Sequence, residues 1–237
     1  MQILAPLVAI AGLIAVAEGV CSGPNARTKP PKGAIVVDAT GAYSGSVRTV
    51  ADGVAKLPNT TAEHSLFVFP VTISHTLAQK DIPTSITRDR NDLTTTLRLR
   101  TDNIKVYNLN VANMAGRIKK NGQALAVSVV GTNSGFYACK FLAYQDTLYA
   151  NKGANLYAKS YISGAVDFIY GQYANAWFES CDIVSISAGH ITANGRDSDT
   201  NPSAYAFNNA RVRHGWPRDG LPRPPVAALR SRRLAEQ

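Results

Sequence analysis

Hydrophobic positions along this chain come in short runs, and their spacing changes character along its length. From Leu97 onward the pattern is strand-like. Leu97-Arg98-Leu99-Arg100 alternates, as does Ile104-Lys105-Val106-Tyr107-Asn108-Leu109-Asn110-Val111, and Ala124 to Val130 forms a further apolar run. A period of two places one face of a strand against a core. Upstream, Ala34-Ile35-Val36-Val37 and Leu66-Phe67-Val68-Phe69 predict two more strands, the second ended by Pro70. Between them Val47, Val50, Ala51, Val54 and Leu57 recur at helical spacing, which predicts a short helix capped by Ser46 and stopped by Pro58. Residues 71–96 show no clean alternation and predict loop with one or two short strands.

A repeat runs through the second half. Tyr137-Ala138-Cys139-Lys140-Phe141-Leu142 resembles Tyr157-Ala158-Lys159-Ser160-Tyr161-Ile162, and both resemble Phe178-Glu179-Ser180-Cys181-Asp182-Ile183; the first residues are 20 and then 21 positions apart. A fixed period near 20 with one strand signal per unit marks a solenoid. With no helix inside the period, the prediction is an all-β parallel β-helix whose coils stack at about 4.8 Å, with the N-terminal helix as its cap. In this register Cys139 takes the third place of its unit and Cys181 the fourth, two coils on. Two coils span roughly 9.6 Å, neighbouring places face opposite ways, and a disulfide needs Cα atoms within about 7 Å. Cys139 and Cys181 are therefore expected not to be bonded to each other.

Composition adds a compartment. With 237 residues the chain suits one domain, and charged residues make up only 17%. Residues 1–17 are an apolar run ending in Ala15-Val16-Ala17, an A-x-A cleavage pattern. The run is shorter than the span of about 20 residues that crosses a membrane, and it predicts a cleaved secretory signal peptide and an extracellular protein with no membrane partner; a solenoid of this kind is expected to be a monomer. Asn59-Thr60-Thr61 is a glycosylation sequon, which adds Asn59 as an expected glycan site. Residues 18–33 read as an extended lead-in, and 34–210 as the β-helix domain, incomplete at its C-terminal side. The net charge of +9 is uneven, because residues 211–237 hold seven Arg against Asp219 and Glu236. This Pro- and Arg-rich stretch is expected to be a basic tail. No basic patch interleaved with aromatics points to nucleic acid.

Two carboxylates stand out. Asp146 follows Gln145 between Tyr144 and Tyr149, and Asp167 lies inside Ala165-Val166-Asp167-Phe168-Ile169-Tyr170. An acid in an apolar run is costly to bury unless it is paired or used. Asp146 follows Leu142 by four residues, and Asp167 follows the equivalent Ile162 by five, so the two are expected as neighbours on adjacent coils. Acids that close do not both ionise readily, which gives one proton donor and one nucleophile or base. The amides of Gln123 and Gln145 add neutral donors suited to a developing oxyanion. Spacing alone leaves open whether these groups do chemistry on an ester or only satisfy backbone groups, and which acid is which.

The runs Gly122-Gln123-Ala124-Leu125-Ala126, Tyr144-Gln145-Asp146-Thr147-Leu148-Tyr149, Gly164-Ala165-Val166-Asp167-Phe168-Ile169-Tyr170-Gly171 and Ile191-Thr192-Ala193-Asn194-Gly195-Arg196 resemble successive signatures of the pectin methylesterases of fungal type. The resemblance implies a right-handed parallel β-helix that hydrolyses the methyl esters of polygalacturonate without metal or other cofactor. It implies Asp167 as nucleophile, Asp146 as acid and base, Gln123 and Gln145 as the oxyanion hole, and Tyr170 and Val166 in the sugar-binding cleft. The family's Gly-Arg-Pro-Trp block, whose arginine bonds the nucleophile, is not found; Trp216-Pro217-Arg218 has related residues in another order. That departure implies an alternative, a β-helix impaired in catalysis that only binds acidic polysaccharide.

Overall fold

The structure is a computed structural model that describes residues 29–58, 62 and 64–215. The expected signal peptide, Asn59 and the tail from residue 216 onward lie outside the described residues. The chain begins with β1 (Ile35–Val37), α1 (Val50–Ala55) and β2 (His64–His75). It continues with β3 (Leu97–Leu99), β4 (Ile104–Asn113), β5 (Val127–Val129), β6 (Ser134–Tyr137) and β7 (Lys140–Leu142). Three further turns of the same pattern follow. They are β8 (Leu148–Ala150), β9 (Lys152–Ala158) and β10 (Tyr161–Gly164); β11 (Ile169–Gly171), β12 (Tyr173–Glu179) and β13 (Asp182–Ser185); and β14 (Thr192–Asn194), β15 (Ala204–Asn208) and β16 (Arg211–His214).

Every strand pairing among the described residues is parallel. One sheet runs β14-β11-β8-β5-β3; the other runs β15-β12-β9-β6-β4-β7-β10-β13-β16, with β2 and β1 beside β4. The long β4 turns a corner, so its first half pairs with β6 and its second with β7. Each coil thus gives one strand to each of three walls, which is the predicted parallel β-helix. At its N-terminal end α1 packs on the first coil. Gly53 is what permits the close approach, since a Cβ there would lie 2.6 Å from Val37 Cγ2 and 2.9 Å from Leu66 Cδ1.

The corner between the second and third walls is made the same way in each coil. Asn108, Ala138, Lys159, Ser180 and Asn209 all have φ between +49° and +62°. This left-handed turn fixes the register, and it corrects the alignment read from the sequence by one residue. Phe136, not Tyr137, pairs with Tyr157, and Phe178 and Phe207 continue the row. These rings form an inner ladder, stacked at 5.1, 4.8 and 4.4 Å between centroids. Tyr137 instead faces outward and stacks on Tyr107 at 4.7 Å. A one-residue slip turns every side chain to the other face, and aromatics on both faces hid it.

The same correction moves the cysteines. Cys139, Ser160 and Cys181 occupy one place in three successive coils, all facing the core, with Cys139 N donating to Ser160 Oγ at 3.1 Å. The two thiols do not face opposite ways, but they are two coils apart and are not bonded to each other. Three further expectations are corrected. The helix is capped by Thr49, whose side chain accepts from Asp52 N at 3.1 Å, while Val47 bridges to Val37 in place of belonging to the helix. The strand at Leu66 does not stop at Pro70; it runs on to His75, with a register shift between Phe67 and Val71 where the missing N–H does no harm. The third wall also extends past residue 210, where the tail was expected to begin, because β16 pairs with β13. Arg211 Nε bonds Asp182 Oδ1 at 2.9 Å and Arg213 pairs with Asp182 Oδ2 at 3.3 Å.

Candidate active site

The corrected register sharpens the relation between the two acids. Phe141 pairs with Ile162, so Asp146 and Asp167 each follow by five residues and stand at the same place in consecutive coils. Gln145 bridges Val166, and Asp146 N donates to Val166 O at 3.0 Å. Both aspartates sit at positive φ, +61° and +49°, in the turn leading into β8 and β11. Left-handed backbone is uncommon outside glycine and is tolerated by Asp. Its repetition aims both carboxylates along one wall.

Their environments differ. Asp146 is buried at 6% exposure, and its carboxyl is pushed up to about 7, first by loss of solvation and then by the charge of Asp167. It therefore holds a proton through the mildly acidic range. The Asp167 side chain is 41% exposed, where water can reach it. One acid is kept neutral and the other is open to an incoming molecule, which is the division of labour a proton donor and a nucleophile require.

The amides of Gln145 and Gln123 belong to the coil of Asp146 and to the one before it. Gln145 adjoins Asp146 in sequence, and its Oε1 lies over Gly122, which would put a Cβ 3.2 Å away. Gln123 opens the preceding coil, where Ala124 N donates to Gln145 O at 3.2 Å. The Oε1 of Gln123, an acceptor, is buried with no hydrogen-bond partner among the described residues. Val166, next to Asp167 in the chain, is half-buried, and it bridges Gln145. Tyr170 stacks on Tyr149 at 4.6 Å with planes 15° apart, and its hydroxyl, also buried and unpartnered, resists ionisation through burial first and the neighbouring Asp146 second. These two rings border a cleft of about 290 Å³, also lined by Gln79, Asp89, Arg90 and Asn91.

The far side of the cleft comes from the stretch that the sequence left as loop. It contains 3-10 turns at Gln79–Asp81 and Asp92–Thr94. Gln79 N and Lys80 N donate to the carbonyls of Gln123 and Asn121, and Asn113 Nδ2 serves Leu77 O and Thr94 O, both at 2.9 Å. Buried Asp92 accepts from Arg98, Arg100 and Ser128, which clamps the second turn to the β-helix. Asn91, just before the clamp, donates to Asp146 Oδ2 at 3.4 Å and accepts from Gln79. No pattern in the sequence marked Asn91. His190, which reads from sequence as a surface or turn residue, is exposed, yet its Nδ1 lies 3.7 Å from Asp167 Oδ1.

A family model described as Pectinesterase matches residues 74–217. A pectinesterase of Aspergillus niger is 46% identical over 145 residues, covering 60% of this chain and 41% of that protein. One of Aspergillus aculeatus is 37% identical over 222 residues, covering 78% and 64%. This chain thus spans between about two fifths and two thirds of the lengths of these relatives. Among solved structures, the deglycosylated pectin methylesterase of Aspergillus niger superposes with a TM-score of 0.66 at 32% identity, over 79% of this chain and 69% of that one. The carrot pectin methylesterase shares the fold, with a TM-score of 0.65 at 24% identity.

Proposed function

This chain belongs to the pectinesterase family, and from that premise we propose that it hydrolyses the methyl esters of polygalacturonate through an acyl-enzyme on Asp167. The observation that carries the reading is the stacked pair of acids, one buried and held protonated, the other half-exposed one coil on. An oxygen of Asp167 attacks the ester carbonyl carbon. The oxyanion that forms is met by the side-chain amides of Gln123 and Gln145, which are neutral donors. Collapse breaks the bond to methoxide, and the proton of Asp146 makes it methanol. Asp146, now a carboxylate, takes a proton from water, and the resulting hydroxide cleaves the acyl bond to Asp167. Only the completed cycle returns Asp167 to its carboxylate and Asp146 to its protonated form.

In this reading Tyr170, stacked on Tyr149, and Val166 hold the sugar beside the acids, and the polymer lies along the cleft toward Asn91. The apolar segment at residues 1–17 supports secretion, and the coil architecture suits a monomer. Methanol release from methyl-esterified pectin tests the proposal. Turnover by the full chain, abolished by Asp167→Ala with binding intact, is the expected result. Binding to pectin with no methanol from the unaltered chain would favour the non-catalytic binder.

A further inference from the structure

His190 occupies the wall one coil beyond Asp167. Ile169 N donates to Ile191 O at 2.9 Å and Ile169 pairs with Thr192, so residues 167 and 190 fall side by side. Gly189 makes this approach possible. Its φ is +151°, and a Cβ there would lie 2.2 Å from Ala165 O and 3.1 Å from Val166 Cα. Only glycine lets the incoming chain settle onto the coil beneath and deliver the next residue against the acid. The result is a column of three titratable side chains, Asp146, Asp167 and His190, in successive coils, with the Asp167 and His190 atoms 3.7 Å apart. The catalytic steps above use the first two and leave the histidine without a part.

We propose that protonated His190 is the positioning residue for Asp167, drawing one carboxylate oxygen toward its imidazolium so that the other faces the ester. The proposal rests on the esterase reading. The titratable groups around Asp167 are Asp146 on the preceding coil and His190 on the following one, with Tyr170 and Tyr149 bordering the cleft and neutral Asn91 facing Asp146 from the loop. The imidazolium is the cation in this column. Its charge attracts the Asp167 carboxylate across 3.7 Å, which orients the oxygen the first step uses. Both partners are solvated, so the attraction is modest and sensitive to salt.

The test measures methanol release by the full chain carrying His190→Gln or His190→Lys, at low and high ionic strength, in mildly acidic and mildly alkaline buffer. In acidic, low-salt buffer His190→Gln is expected to lower kcat about fivefold with little change in KM, and His190→Lys to restore most of it. The deficit of His190→Gln should shrink at high salt, and again in alkaline buffer where histidine loses its charge. A merely structural role moves with neither salt nor the sign of the side chain. Equal kcat for the unaltered chain and His190→Gln, or equal losses for Gln and Lys, overturns the proposal. A folded, pectin-binding chain that releases no methanol defeats the esterase reading instead. In that case NMR decides the pairing, because the pH titration of the His190 imidazole signal must move on Asp167→Asn; an unmoved titration overturns it.

Discussion

Asp146→Asn should make the protein more stable in neutral solution while removing its activity. The carboxyl of Asp146 titrates at 3.8 in an unstructured chain and at about 7 in the fold, chiefly because burial at 6% exposure strips its water. Below about pH 3.8 the group carries its proton in both states, and its stabilising contribution is present in full. As pH rises, the unfolded chain releases the proton first, so the unfolded state gains relative to the native one. The contribution is gone once pH exceeds about 7. Each pH unit between the two values is worth about 1.4 kcal/mol, so the loss is about 4 kcal/mol between pH 4 and pH 8. Asparagine cannot ionise and escapes it. Urea unfolding of both chains across that range reads the difference, which should open by several kcal/mol from acid to alkali. Asp167→Asn serves as a control, since it removes only the smaller electrostatic part and should keep most of the slope. Parallel stability profiles for the unaltered chain and Asp146→Asn would refute the reasoning, because they would mean that Asp146 is solvated in the native state. The same variant should lose at least a hundredfold in methanol release, as expected for removal of a general acid and base.

Other outcomes follow from the scaffold. Phe178→Ala removes a ring stacked between Tyr157 and Phe207 in the inner ladder and should cost about 3–5 kcal/mol in denaturant unfolding. Lys159→Asn, at an exposed corner with φ +49°, should stabilise by about 0.5–1 kcal/mol, because asparagine tolerates left-handed backbone better than lysine. Cys181 should take up iodoacetamide after denaturation without reductant, and in the native protein it should react slowly, since burial pushes its thiol up to about 11.

What the sequence determined by itself was periodic or local. Alternation from Leu97 onward marked strands, the repeat of about 20 residues made them a solenoid, and two acids in apolar company marked the centre of the site. Each of these signals is carried by neighbours in the chain. The register was not, because Phe136 and Tyr137 are both aromatic and only the left-handed corner at Ala138, Lys159 and Ser180 decides which faces inward. That corner put Asp146 directly beneath Asp167 and put Cys139 and Cys181 on the same face. The cleft's far side was also beyond the sequence. Asn91 reaches Asp146 only because buried Asp92 collects Arg98, Arg100 and Ser128 from distant strands, and no period links those residues. His190, after Gly189 near a strand start, reads from the sequence as a surface or turn histidine. Stacking of the coils, with Gly189 pressed on Ala165, brings it to Asp167. The chain's local pattern named the acids, and tertiary packing set the protonation of Asp146, because its burial and the neighbouring charge exist only once the coils are stacked.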